Sequence, residues 1–328
     1  MAPMLIAVIV LALCFDFLNG VHDSSNVVAT MISSRAFSPR VALGTTAVAN
    51  FIGPFVFGVA VANTIGHEVV DPKTITTEII VAALVSAILW DVLTWFLGFP
   101  SSSSHALIGG IIGAVTVGAG WREIEMAGLW KILIPLFTSP LIGFAVGFLL
   151  LKFIIAVSWD ATPRINELFK HSQIVTGVAL ALSHGTNDSQ KTMGIITLAL
   201  VTAGYLKVFA VPVWVIIMCA SMIALGTAIG GWRLIRTLGG KIFKIRPVDG
   251  FTAQLASAAV IITASLIGGP VSTTQVVSSA IMGVGTGERA NKVRWGVAQE
   301  IVTAWVLTVP ASAAVAGLVY WVMMRFIH

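Results

Sequence analysis

Two short polar runs interrupt hydrophobic sequence where polar atoms are expensive, and they lie 170 residues apart: Pro100-Ser101-Ser102-Ser103-Ser104-His105 and Pro270-Val271-Ser272-Thr273-Thr274-Gln275. Each is a proline followed by hydroxyls and then a Gly-rich apolar stretch, with Gly113 and Gly283 in register. Proline removes a backbone donor and breaks a helix. Hydroxyls just after it cap a new helix, whose free N–H groups attract an anion. Two such helix starts, at corresponding places of two half-sequences, point to a central binding site between repeats of a membrane protein.

Composition sets the class. The 328 residues are 57% hydrophobic and only 10% charged, with a mean hydropathy of +0.96. Soluble domains carry roughly 25% charged residues, so the chain is expected to be an all-α integral membrane protein. Its apolar stretches reach the ~20 residues that a bilayer span needs. The formal charge of +5 reads as loop bias in a membrane protein, and no nucleic-acid partner is expected. Cys14 and Cys219 are isolated in apolar segments and read as small buried side chains. The ten Trp read as lipid-facing or interfacial anchors. The N-terminus lacks a basic region, and Asp16 interrupts the following apolar run, so no cleaved signal peptide is expected.

Ten apolar segments run at approximately 4–31, 41–65, 76–98, 100–119, 131–155, 172–203, 208–230, 250–268, 270–287 and 295–324. The segments at 100–119 and 270–287 are short and broken, either as interrupted helices or as hairpins. Thr138-Ser139-Pro140 and Thr308-Val309-Pro310 repeat the 170-residue offset, and Gly20-Val21-His22-Asp23-Ser24 matches Gly185-Thr186-Asn187-Asp188-Ser189 at 165. The expected organisation is two five-segment halves, 1–160 and 161–328, in inverted topology. With both termini outside, 13 of the 19 basic residues fall on the inner side, including those of an amphipathic loop at 233–246. Glu68, Asp71, Lys73 and Glu78 fall at outer loops or interfaces in this scheme.

Asp23 and Asp188 are the sharpest candidates for chemistry. A carboxylate at membrane depth costs at least ~2.5–3.5 kcal/mol, so it pairs, titrates or binds a cation. The Gly-X-(His/Asn)-Asp-Ser setting is expected to loosen the helix around each of them. Asn26 shares a face with Asp23, Asn187 flanks Asp188, and Lys191 occupies the place matching Asn26. Lys191 either balances charge or snorkels to an interface, and His22 either carries a proton or only hydrogen-bonds. The histidines show no metal-ligand spacing, so no zinc site is assigned. Asp16, Asp91 and Glu300 are further acids in apolar segments, with Asp91 read as ion-coupling or structural. No nucleotide-binding fingerprint is present, and an adjacent Ser-His pair makes no catalytic triad.

These motifs resemble the PiT family of inorganic phosphate transporters. The resemblance rests on Gly20-Val21-His22-Asp23-Ser24-Ser25-Asn26, Gly185-Thr186-Asn187-Asp188-Ser189-Gln190-Lys191, Trp95-Phe96-Leu97-Gly98-Phe99-Pro100 with its serines, and Pro270-Val271-Ser272-Thr273-Thr274. It implies a plasma-membrane secondary transporter that imports inorganic phosphate by symport with Na+ or H+, or as a metal–phosphate complex. The implied machinery needs no cofactor, and its inverted-repeat fold is compatible with a homodimer in lipid. Carried over, Asp23 and Asp188 would hold cations, while Ser102, Ser103, Ser104, Ser272, Thr273, Thr274, Asn26 and Asn187 would bind the anion. His22 and Lys191 would move protons or balance charge. His22 and Lys191 depart from the family's asparagines, and Asn50-Phe51-Ile52-Gly53-Pro54 lacks the glutamate of sodium-coupled members. A sulfate permease of the same fold and, further off, a membrane-embedded enzyme are the alternatives.

Overall fold

A chain this apolar must satisfy its backbone internally, and helices do so within one segment. The computed structural model describes residues 2–68 and 75–327. Among them, twelve α-helices and no strands occur. In the first half these are α1 (Ala2–Ser33), α2 (Pro39–Phe57), α3 (Ala60–Glu68), α4 (Thr77–Leu97), α5 (Ser103–Gly118) and α6 (Met126–Val157). The second half has α7 (Ile165–Thr202), α8 (Val213–Ile229), α9 (Trp232–Arg236), α10 (Pro247–Leu266), α11 (Thr273–Arg289) and α12 (Trp295–Ile327). Asp71 and Lys73 lie outside the described residues.

Among the described residues, α1, α2, α4, α6, α10 and α12 are long and apolar enough to cross a membrane. A seventh crossing results if α8 and the segment through Lys241 are taken as one span bent by 60°. The chain is therefore a multi-pass membrane protein. Eight tryptophans are exposed on its apolar exterior; Trp90 is half-buried and Trp305 is buried. Cys219 is buried as expected, but Cys14 is exposed, because it faces outward from α1.

Three further expectations are corrected. The segment at 41–65 is two helices, divided at Gly58, whose φ of 77° suits glycine. The basic stretch at 233–246 is not a loop throughout: α9 continues into a π-helical turn at Thr237–Lys241, and buries Leu234, Ile235 and Leu238. Helices α1 and α7 run unbroken through Asp23 and Asp188. The glycines beside those aspartates serve close packing instead. A Cβ on Gly20 would lie 2.3 Å from the Ile223 carbonyl oxygen of α8, and one on Gly185 would lie 2.2 Å from the Asn50 carbonyl oxygen of α2.

Both polar runs are hairpin tips. Helix α4 ends at Gly98 (φ 78°) and α10 ends just before Gly268 (φ 74°), so a left-handed glycine stands at the same 170-residue offset in each half. The chain passes through Pro100 or Pro270 and restarts as α5 or α11. Ser102 caps α5 by accepting from the His105 N–H at 3.2 Å, and Ser272 caps α11 by accepting from the Gln275 N–H at 3.3 Å. In the first hairpin the strands of contact run antiparallel: Thr94 meets Ser101, Ala83 meets Gly110, and Ile79 meets Gly118.

Packing is crosswise between the halves. Helix α5 lies along α12 and α11 lies along α6; α1 packs on α8 as α7 packs on α2. The in-register glycines sit in these seams, Gly113 against Ala313 and Gly283 against Phe144. The Thr-X-Pro motifs fall inside α6 and α12, the two helices that carry the returning arms of the hairpins.

Candidate functional site

The two hairpin tips meet at the middle portions of α1 and α7, and the polar side chains there are closed off from solvent. Asp23 and Asp188 are 2% and 1% exposed. Thr273, the first residue of α11, places its hydroxyl between them, 3.2 Å from Asp23 Oδ2 and 2.8 Å from Asp188 Oδ2. A threonine hydroxyl has one proton, so it can donate to only one carboxylate at a time. Thr274 donates to Asp23 Oδ1 at 2.9 Å and accepts from Asn26 Nδ2 at 3.0 Å. His22 Nδ1 also lies 2.8 Å from Asp23 Oδ1.

On the opposite side, Lys191 donates to Asp188 Oδ1, to Ser104 Oγ at 2.5 Å and to the Val271 carbonyl at 2.9 Å. Ser104 also reaches that carbonyl, at 3.3 Å. Ser103 donates to Asn19 Oδ1 at 2.8 Å. Asn187 turns to the second hairpin: its amide donates to Ser265 and Gly269, and its oxygen accepts from the Val271 N–H at 3.3 Å. The structure thus gathers Asp23, Asp188, Asn26, His22, Lys191, Ser103, Ser104, Thr273 and Thr274 around one centre. Ser102 and Ser272 cap the helices that bound it, and Asn187 braces a tip.

His184 completes the centre. Its Nε2 lies 3.0 Å from Asp188 Oδ2 and 3.9 Å from Asp23 Oδ2, while Nδ1 lies 3.2 Å from Asn50 Oδ1. The Asn50 amide nitrogen donates to Thr227 at 2.9 Å, so its oxygen is left to accept from His184 Nδ1–H. Nε2, near both carboxylates but aligned for a hydrogen bond with neither, then carries either a second proton or a lone pair. Ligand atoms of Asp23, His184 and Asp188 all lie within 4.8 Å of one another, a set able to hold a cation. Two grooves of about 560 and 690 Å³ lie elsewhere: they are apolar and lined by residues of α4, α6, α11 and α12 such as Leu93, Leu307, Phe137 and Val306.

The comparisons with known proteins decide the family. The family model described as phosphate transporter family matches residues 19–316. The chain belongs to the phosphate transporter family. A probable low-affinity inorganic phosphate transporter of Bacillus subtilis is 45% identical over 322 residues, covering 97% of this chain and 96% of the relative. One of Rhizobium meliloti bearing the same description is 45% identical over 324 residues, covering 97% and 96%. A solved structure titled the sodium-dependent phosphate transporter superposes with a TM-score of 0.88 over 98% of this chain and 99% of its own, at 24% identity, and so shares the fold.

For this member of the phosphate transporter family, His184 joins the centre although the sequence motifs above did not name it. It stands one turn before Asp188 on α7, as Asn19 stands one turn before Asp23 on α1. An Asn matched to a His conceals the repeat, but the i, i+4 spacing to an aspartate in each half was readable. Asp91 and Asp16 are also buried, and Asp16 accepts from Thr192 at 2.5 Å. Glu300 is exposed on α12.

Proposed function

We propose that the chain is a secondary active transporter that imports inorganic phosphate by symport with Na+ or H+, using alternating access around the Asp23–Asp188 centre. One observation carries the reading: the N-termini of α5 and α11 meet over two buried carboxylates, Asp23 and Asp188, that share the single Thr273 hydroxyl. Helix N-termini and hydroxyls attract an anion, but two carboxylates repel it. The anion is stable there only when cations or protons enter with it, and that dependence is the coupling. His184 Nε2, near both carboxylates, is the natural place for the proton or cation.

Phosphate near neutral pH keeps at least one proton and can donate it to a carboxylate, whereas sulfate leaves two acceptors opposed. The names of the 45%-identical relatives support phosphate as well. The crosswise packing of α5 on α12 and α11 on α6 supports reading 1–160 and 161–328 as inverted repeats that rock about the shared centre. The closed centre corresponds to an occluded stage of that cycle.

The test is uptake of labelled phosphate into proteoliposomes under imposed Na+ or H+ gradients, with sulfate as competitor. Accumulation driven by an inward cation gradient and insensitive to excess sulfate is expected. Uptake indifferent to both gradients, or equal competition by sulfate, would overturn the respective part of the reading.

A further inference from the structure

Asn26 and Lys191 hold one position in two halves, each three residues beyond its aspartate. They also make the same bond crosswise. Asn26 donates to Thr274 of the second hairpin, and Lys191 donates to Ser104 of the first; Ser104 and Thr274 are themselves 170 residues apart. The two half-sites share a geometry and differ in charge.

Lys191 Nζ is surrounded by oxygens of the kinds that also coordinate a metal cation. Its three oxygen partners are a carboxylate from α7, a hydroxyl from α5 and the main-chain carbonyl of Val271. Carboxylate, hydroxyl and carbonyl oxygens are the donors that hard cations select. Asn187 holds the Val271 N–H, in the peptide unit just before this carbonyl, and so braces the hairpin tip beside it. An ammonium has three donors and no acceptor, and all three are used. Lys191 is 2% exposed, which removes snorkelling to an interface as its role. Around Asn26 the matching carboxylate and hydroxyl are Asp23 and Thr274, and Asn26 Oδ1 is buried with no hydrogen-bond partner among the described residues. Asn26 gives this half-site a neutral amide donor, to Thr274, and no positive charge.

We propose that the Lys191 ammonium stands in for one co-transported monovalent cation, so that the Asp188 half-site carries its charge permanently and only the Asp23 side takes a cation from solution. The inference rests on the transport reading above. It makes Lys191 a determinant of ion stoichiometry: the two hairpin tips and Asp188 are held together by a tethered charge, where an amide at that position would leave room and need for a free ion.

The experiment is titration of the purified full chain with inorganic phosphate in choline chloride, and then with NaCl, KCl or LiCl replacing it at equal ionic strength. In choline, K191N is expected to bind phosphate at least about tenfold more weakly than wild type, because Asp188 is left buried and uncompensated. One of the three cations is expected to restore K191N to within about threefold of wild type, with a cation Hill coefficient about one higher than wild type shows. K191M removes the charge but keeps the side chain's bulk, so the same loss is expected without recovery in any salt. Monodisperse K191N that binds as wild type does in choline, or that no cation restores, overturns the proposal. Equal recovery of K191M overturns it too, since the ion would then be acting elsewhere. K191Q is read in the same way should K191N not yield monodisperse protein. Wild type that binds no phosphate in any of the four salts would instead remove the transport reading, and this inference with it.

Discussion

The Trp305 indole N–H donates to the Pro100 carbonyl at 3.1 Å. Trp305 is the buried tryptophan of α12, and Pro100 opens the extended peptide that leads into α5. The bond fastens the tip of the first hairpin to the helix that also supports its returning arm.

Trp305→Phe keeps an aromatic ring at this buried position, removes the donor and gives up part of the indole's volume. The expected loss is about 1–3 kcal/mol, as for a buried acceptor deprived of its partner. Because Ser102, Ser103 and Ser104 follow directly, phosphate affinity is expected to fall along with the melting temperature in detergent. Wild-type values of both in W305F would show that the tip is positioned by packing alone.

Asp23→Asn and Asp188→Asn are each expected to abolish gradient-driven phosphate uptake while the protein still inserts. They should differ in stability. Asp188 is the carboxylate partner of the buried Lys191, whereas Asp23 is flanked by His22. Removing Asp188 strands a buried ammonium, a loss on the order of 3–5 kcal/mol, so D188N is expected to melt below D23N. Thermal unfolding of both in detergent, beside uptake in proteoliposomes, checks the pair; wild-type uptake in either would remove that residue from the mechanism.

We propose, from the basic asymmetry, that both termini lie outside and the stretch at 233–246 lies in the cytoplasm. Lys241 is exposed at the end of the π-helical turn, so a cysteine there is accessible from its own side of the membrane. Cys14 is also exposed, so the labelling background needs Cys14→Ser, while buried Cys219 can stay. An impermeant thiol reagent added to intact cells is expected to leave K241C unmodified and to label it after permeabilisation. Labelling in intact cells, in a protein that still transports, would invert the topology.

Much of the centre was legible because the motifs recur at a near-constant offset, so that each candidate position is written twice. Asp23 with Asp188, and the serine run with its Ser-Thr-Thr counterpart, emerged from offset alone, and the caps at Ser102 and Ser272 followed from proline and hydroxyl chemistry. Contacts across the repeats were not legible. That Asn26 meets Thr274 and Lys191 meets Ser104 depends on how the halves interlock, which no offset states. The glycines at the aspartate motifs misled for a physical reason: glycine loosens an isolated helix, but here it lets α1 and α7 touch the backbone of α8 and α2. Cys14 misled likewise, since a bilayer makes an exposed small apolar side chain acceptable.

The hydroxyl runs give the last prediction, and the structure separates two residues that sequence treats alike. Ser103 and Thr273 are equivalent by offset, but Ser103 donates to the neutral Asn19 amide and Thr273 lies between two carboxylates. A neutral hydrogen bond contributes about 0.5–1.5 kcal/mol and one to a charged group about 1.5–3 kcal/mol. Ser103→Ala is therefore expected to weaken phosphate binding by no more than about tenfold, and Thr273→Ala by about ten- to a hundredfold. Leucine at either position is expected to abolish binding, since its bulk would fill the space between the hairpin tips. Titration of the four variants with phosphate, beside their melting temperatures, separates binding from capping: Ser102 and Ser272 supply the cap bonds, so stability should change less than affinity. Unchanged affinity in well-folded S103L and T273L would place the anion elsewhere.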